Sequence, residues 1–486
     1  MTNTRGFIEQ CEREALHLSG AIQPHGALLV VGPDGRVTHA SRNLEALLGF
    51  CPEDLLGQAL SLPLAKPLRR LEPLAGARLT VAHLDGLRTD LAMQASRNAS
   101  GQVILELLQP GDVSEPPLDA IPPPMVAIHS DDELDERRQA LVERIAALSG
   151  FDRVLFYRFL PNGDGEVLVE ALGEGARGRY LGLRFPASDV PQVARALYVQ
   201  NPWRSIPDAA AESVPLVGQG GSPPDLSLAD LRSLSPVHRL YLHNMGVAAA
   251  VSFPLAIGGE LTALISCHAA SPRRLSLPML ELLSRDVVAH GLAEKEYRAR
   301  TRLALLAGFE RRFSGLRVGK AAPGGLRRAW PELGRWLMAE FEADGAMLCR
   351  DGEALGEGLS LEPEALSAVE RWCEGDGVIT RISDHLVGDC PDMPLSEVSG
   401  LLAISVLTRD GERLRCYLCR GEVVQEVAWG GNPDKPAELH SGPIPLAPRR
   451  SFETWVETRL GHSRPWTDRD RLKLLKLRLL LQSTAL

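Results

Sequence analysis

Alternating and helix-spaced apolar positions divide the chain into recurring small units. Between positions 27 and 108, short runs of strand character (ALLVV, GRVTHA, RLTVAHL, QVILELL) surround one helix-like stretch, ASRNLEALLGF. This predicts a small α+β domain with an antiparallel sheet. The stretch PGDVSEPPLDAIPPP, Pro110 to Pro124, can continue neither a helix nor a central strand and reads as a domain boundary. From Asp131 to Leu148 the residues Leu134, Leu141, Ile145 and Leu148 fall near helical spacing behind an acidic start, as at a helix N-terminus. A second α+β unit follows with DRVLFYRF, the loop NGDGE, VLVEAL, a loop-rich middle, and two apolar runs flanking Gly258-Gly259. Those flanking runs predict a β-hairpin. They hold the most apolar stretch, Gly246 to Cys267, which Pro254, the two glycines and Glu260 interrupt as a membrane span.

From Leu280 to Phe313 a proline-free charged pattern with Leu283, Val287, Leu303 and Leu306 predicts one long connecting helix, suited to linking or dimerising. A third α+β unit, about 314 to 470, carries strand-like GAMLCR, LLAISVLTR, LRCYLCR and a run near Glu422 to Trp429. The tail LKLLKLRLLL, Leu472 to Leu481, is cationic and amphipathic. It reads as the start of another coiled linker, in preference to the alternative of a membrane-surface helix.

Length agrees with this division, since 486 residues suggest about three domains. The charge balance, 53 basic against 62 acidic residues, gives −9 and argues against nucleic acid as a partner. Eight cysteines are too sparse for a disulfide scaffold and fit free thiols in a reducing cytoplasm; the N-terminus has no signal-peptide core. Cytoplasmic localisation without a membrane partner is therefore expected. There is no GxGxxG opening a helix after a strand, no GxxxxGK[ST], no HExxH and no GxSxG, so catalysis is not expected. Cys416 and Cys419 form a CxxC inside a strand-like run, which reads as buried structural thiols rather than a metal or redox pair.

Chemistry concentrates in residues 180 to 270. Asp189 precedes Pro191 and reads blandly as the N-cap of PQVARALY; His238 and His268 read blandly as core histidines, and Arg204 and Arg232 as surface charges. Together with several aromatics they suit a pocket for a large acidic conjugated ligand.

CEREALHLSGAIQPHGALLVV near the start, RFPASDVPQVARALY, LRSLSPVHRLYLHNMGV, Cys267-His268 and PRRSF at 448 to 452 together resemble a bacteriophytochrome photosensory core over nearly the whole chain. The resemblance implies three domains: an N-terminal extension and PAS domain (1–120), a bilin-binding GAF domain (121–300) and a PHY domain with a tongue hairpin (301–486). It also implies a knotted PAS/GAF junction around Ile22. In bacteriophytochromes the attachment thiol lies upstream of the PAS domain, and Cys11 matches it. Other relatives attach through a GAF cysteine immediately before the histidine matching His238, where this chain has Val237. The resemblance therefore implies biliverdin, linked by a thioether at Cys11, over phytochromobilin or phycocyanobilin.

Further roles follow from the resemblance. The Asp189 carbonyl and the His238 imidazole face the pyrrole nitrogens; Arg204, Arg232 and Tyr198 clamp propionates, with Ser235 and Ser252 as weaker contributors. His268 meets the D-ring carbonyl, and Tyr157, Phe185 and Tyr241 cage that ring. Arg449 matches the tongue arginine that pairs with Asp189, and Trp429-Gly430-Gly431-Asn432 the companion tongue motif. The chain departs from the pattern at Ala248-Ala249-Ala250, where many relatives have Ser, and at Ala269, where a second histidine often stands. The implied function is red/far-red light sensing by Z/E photoisomerisation with tongue refolding, in a homodimer that signals to a downstream module or response regulator. Full-length relatives often end in a histidine kinase, and the chain contains no evident ATP-cradling motif. Two other readings stand beside this one: a full-length light-regulated sensor histidine kinase whose output module is absent from this chain, and a light-independent GAF regulator that has lost its bilin, against which Cys11 argues.

Overall fold

The computed structural model describes residues 14–84, 90–112, 126–218, 221–316, 325–350, 353–374, 379–407, 413–433 and 451–483. Backbone contacts divide the chain into two units, residues 1–295 with 428–455, and residues 296–427 with 456–486. The expected boundary at Pro110 to Pro124 lies mostly outside the described residues.

The first unit holds two sheets. One has seven strands, in the spatial order Ala21–Ile22, Val214–Gly218, Val37–Ser41, Gly26–Val31, Val103–Leu108, Ala92–Arg97, Arg78–Val81. Gly26–Val31 and Val103–Leu108 are buried at every position, as central strands covered on both faces require, whereas Arg78–Val81 is a half-buried edge. The second sheet runs Arg204–Ile206, Ala249–Ile257, Glu260–Ala269, Arg153–Phe159, Gly165–Leu172, Arg184–Phe185, then residues 428–430 and 454–455. The Gly258-Gly259 hairpin forms as expected, both glycines at positive φ (72° and 83°), with Ile257 opposite Glu260. One apolar cluster joins Ile22, Leu28 and Ile104 of the first sheet to Phe156, Val251 and Ile265 of the second, covered by helix Asp131–Ser149 and the start of helix Leu277–Gly315. Ser130 caps the former helix by accepting from Glu133 N, and Gly150 closes it in the left-handed conformation.

Residues 17–23 are laced from two sides. Ala21 and Ile22 pair with Pro215 and Val214, while Gln23 N donates to Leu231 O (2.7 Å) and Leu226 N to His17 O (2.8 Å). Beside them Glu106 is fully buried; it accepts from Leu231 N (2.6 Å) through Oε1, and Oε2 has no partner among the described residues. Burial and neighbouring Asp230 push its carboxyl up to about 7. The folded chain therefore holds this proton between about pH 4.5, where the unfolded chain releases it, and about pH 7. The stability it contributes is complete below that window and lost as pH rises through it. Asp230, raised first by burial, acts in the same direction. Glu106→Gln is expected to remove a penalty on the order of 3 kcal/mol at pH 8. Thermal midpoints measured from pH 5 to 8 should fall less steeply for the variant; parallel slopes would contradict it.

The second unit is a five-stranded antiparallel sheet ordered Glu353–Gly358, Gly345–Arg350, Arg413–Gly421, Val398–Leu407, Thr380–Ser383. One face packs on Phe309, Trp330, Leu337 and Phe341, the other on helix Pro363–Glu374. Cys416 and Cys419 are both buried, but their odd spacing in a strand sends them to opposite faces, so they belong to different cores. The tail corrects one expectation: helix Asp468–Ser483 buries Leu474, Leu477 and Leu481 in this unit's core, so this apolar face is covered by the protein and not by a membrane surface. An amphipathic stripe specifies that something covers it, and in this unit its own sheet does. Among the described residues no helix is long and apolar enough to cross a membrane.

Candidate functional site

A cavity partly open to solvent lies against the second sheet of the first unit. Alternation on the strands explains most of its lining. Leu155 and Tyr157, Arg204 and Ile206, Ala250 and Ser252, and Leu264, Ser266 and His268 are each two residues apart and share the face toward the cavity. Register aligns them in cross-strand rows: Arg204, Ser252, Ser266 and Leu155 in one, Ile206, Ala250 and His268 in the next. Helix Pro236–Asn244 adds His238 and Tyr241, one turn apart, and helix Gln192–Gln200 adds Tyr198. Asp189 sits in the short 3₁₀ turn Ala187–Asp189 between Pro186 and Pro191. It does not cap the following helix; its Oδ2 accepts a hydrogen bond from Tyr241 OH (2.8 Å).

The cavity floor is electropositive. The Arg204 guanidinium donates through Nη1 to Asp230 O and through Nη2 to Arg232 O and Ser233 O (the last 3.3 Å), so it braces the 230–233 backbone as well as lining the cavity. Arg232 is 8% exposed and donates to Leu226 O (3.4 Å). Burial and the nearby Arg204 charge pull it down to about 9. Asp230, itself buried, accepts from Ser205 N (2.7 Å) and faces both cations. Tyr198 is close enough to interact with both guanidiniums. The imidazoles are held neutral: burial and the two arginines lower His238 to about 4, and burial with Arg153 and His238 lowers His268 to about 3. His268 Nε2 shares a hydrogen bond with Ser266 Oγ (3.0 Å), while its buried Nδ1 has no partner among the described residues.

Aromatic rings close one end. Tyr157 and Tyr180 pack on Phe185 at centroid distances of 6.0 and 5.7 Å, and the Arg153 guanidinium lies 3.8 Å over Tyr180. Phe452, of the PRRSF motif, meets Tyr241 edge-on at 5.2 Å. Trp429 pairs with Arg184 in parallel, and a Cβ on Gly430 would come within 2.6 Å of the Phe185 ring, so only glycine permits that approach.

The cavity thus gathers Tyr157, Phe185, Asp189, Tyr198, Arg204, His238, Tyr241, Ser252 and His268. Arg232 and Ser235 do not line it; Ser235 Oγ donates to Glu14 Oε2 (2.9 Å) instead. Cys11 and Arg449 lie outside the described residues. Sequence reasoning missed Tyr180, Ser266 and Met245 in the lining. Strand alternation from His268 points to Ser266, and Tyr180 opens the dense polar-aromatic stretch.

These residues suit an open-chain tetrapyrrole. Neutral imidazoles can face pyrrole nitrogens, the buried Nδ1 of His268 has no partner among the described residues, and the Arg204 guanidinium lines the cavity as a cation that can meet a carboxylate.

Family models match along the chain: a PAS fold at residues 11–87, a GAF domain at 133–291 and a phytochrome region at 321–486. A bacteriophytochrome of Pseudomonas aeruginosa is 32% identical over 99% of this chain and 67% of its own length. Cyanobacterial phytochrome B of Nostoc sp. is 33% identical over 97% of this chain and 65% of its own. The chain therefore spans about two thirds of the length of these curated relatives. Among solved structures, the Stigmatella aurantiaca phytochrome photosensory core module superposes with a TM-score of 0.77 at 30% identity, covering 97% of both chains. A bacteriophytochrome from the photosynthetic bacterium R. palustris gives 0.77 at 28% identity, covering 97% of this chain and 98% of that one. Cavity, domain order and relatives agree: the chain belongs to the phytochromes, the red/far-red photoreceptors, as a bacteriophytochrome photosensory core of PAS, GAF and PHY domains.

Proposed function

We propose that this chain binds biliverdin in the cavity, linked by a thioether at Cys11, and signals light by rearranging residues around one end of it. The observation that carries the reading is the convergence on one cavity of nine residues that the family pattern assigns to a bilin, with two neutral imidazoles and a half-buried guanidinium among them. When bound, the bilin supplies red-light absorption and Z-to-E isomerisation of the bridge between its C and D rings.

The residues around it divide the work. His238 and the Asp189 carbonyl accept from pyrrole N–H groups, while Arg204, Arg232, Tyr198 and Ser252 hold propionates; Arg232 needs a side-chain shift to reach the cavity. His268 hydrogen-bonds the D-ring carbonyl, inside the wall of Tyr157, Phe185 and Tyr241. Asp189 then exchanges partners between Tyr241 and Arg449, biasing the tongue hairpin between strand and helix, a two-state element of the kind switching requires. Residues 20–23 thread the loop spanning 207–235, a reading supported by the hydrogen bonds on both their sides. A homodimer partner, reached along the helix Leu277–Gly315, and a downstream signalling module or response regulator receive the change.

The attachment is tested on a denaturing gel stained by zinc-enhanced fluorescence after apoprotein meets biliverdin. The wild type should carry covalent pigment and Cys11→Ser none. Equal fluorescence in both, or none in either, would overturn the assignment.

A further inference from the structure

Glu14 makes a long-range side-chain contact at the start of the described chain: its Oε2 accepts from Ser235 Oγ at 2.9 Å, across 221 residues of sequence. Ser235 is the N-cap of helix Pro236–Asn244, and its oxygen also accepts from Val237 N (3.2 Å). A hydroxyl has one proton to donate, so that of Ser235 is committed to Glu14. The helix it caps places His238 and Tyr241 in the cavity wall. The next ties of this segment to the 214–235 loop are backbone bonds, Leu226 N to His17 O (2.8 Å) and Leu216 N to Gly20 O (3.0 Å), which almost any side chains would allow.

We propose that Glu14 is a positioning residue for pigment attachment: its carboxylate pins the amino-terminal segment to the cap of the helix that lines the cavity, concentrating the Cys11 thiol there. The inference rests on the reading of Cys11 as the attachment site. The step it serves is addition of the thiol across a carbon–carbon double bond of the pigment. Sulfur bonds to one carbon, the thiol proton goes to the pigment, nothing leaves, and no oxidant is required. Glu14 touches none of the reacting atoms.

Tether length sets the expected size. Cys11 is three residues from Glu14 and six from His17. At about 3.5 Å per residue the maximum reach doubles, from about 10 Å to about 21 Å, when the Glu14 tie is lost. Effective concentration falls with tether length to a power between 3/2, for a flexible chain, and three, for free volume, which gives about a three- to eightfold loss.

The test separates binding from attachment in the full chain. Reversible biliverdin affinity is measured in the Cys11→Ser background, with and without Glu14→Ala. The first-order attachment rate at saturating biliverdin is measured in the Cys11 background for wild type, Glu14→Ala and Glu14→Gln. Glu14→Ala should slow attachment about three- to eightfold and leave reversible affinity within twofold. Glu14→Gln keeps an acceptor oxygen for Ser235 and should recover most of the rate. Attachment by Glu14→Ala at the wild-type rate, or an equal loss of reversible affinity, would overturn the role of Glu14 alone. A wild type that forms no adduct would remove the reading of Cys11 beneath it.

Discussion

Arg204→Ala is expected to lower the thermal midpoint of the unit containing residues 1–295 by roughly 6–20 °C and to weaken biliverdin binding at least tenfold. One guanidinium serves several groups at once. Arg204 holds three backbone carbonyls, at Asp230, Arg232 and Ser233, and is the main cation opposing the buried Asp230 carboxyl. Truncation leaves those acceptors and that charge without their principal partner, in a setting where breaking a buried pair costs about 3–5 kcal/mol. At about 2–4 °C per kcal/mol for domains of this class, a drop of that size follows. The same truncation removes a cation from the cavity floor, and a charged hydrogen bond to a propionate is worth about 1.5–3 kcal/mol, or tenfold and more in affinity. Arg204→Lys keeps the charge but not the planar fork, so it should recover part of the affinity and little of the midpoint. Differential scanning calorimetry and a biliverdin titration read the two effects; a midpoint within about 2 °C of wild type, below what even one lost kcal/mol would produce, would contradict the bracing role.

Asp189→Ala is expected to retain covalent pigment and to lose most of the far-red-absorbing product. Asp189 accepts from Tyr241 OH at 2.8 Å and stands on a turn whose backbone is fixed by a proline on either side. Its substitution therefore leaves the wall largely in place while removing a charged acceptor. If that acceptor is used differently in the two light states, a difference of about 1.5–3 kcal/mol moves their ratio about 10- to 100-fold. Asp189→Asn retains an oxygen for Tyr241 but not the charge, and so separates the tyrosine contact from pairing with Arg449. An Asp189→Ala product spectrum of unchanged position and amplitude would contradict the switching role.

Local rules carried much of the fold. The hairpin at Gly258-Gly259, the helix opened by acidic residues at 131, and the long helix at 277–315 all follow from turn chemistry and periodicity. What periodicity could not supply was which surface meets which. The stripe of helix 468–483 is apolar on one face whether it covers a core, a membrane or a partner, and only the tertiary structure shows Leu474 and Leu477 buried on the second unit's sheet. Arg204 read from sequence as a surface charge or a ligand clamp, because its three carbonyl partners lie 26 to 29 residues away in a loop without periodicity. The lacing of residues 17–23 to 214–233 is more remote still, joining segments about two hundred positions apart. For the site, the family pattern located most of the cavity wall, while Ser266 needed only the two-residue alternation from His268.

The most direct test is a red-minus-far-red difference spectrum of the full chain after incubation with biliverdin and removal of free pigment. A bilin photoswitch seated in this cavity requires a reversible exchange between a red-absorbing and a far-red-absorbing band on alternating illumination. A protein that emerges colourless, or coloured but with an identical spectrum under both lights, would contradict it.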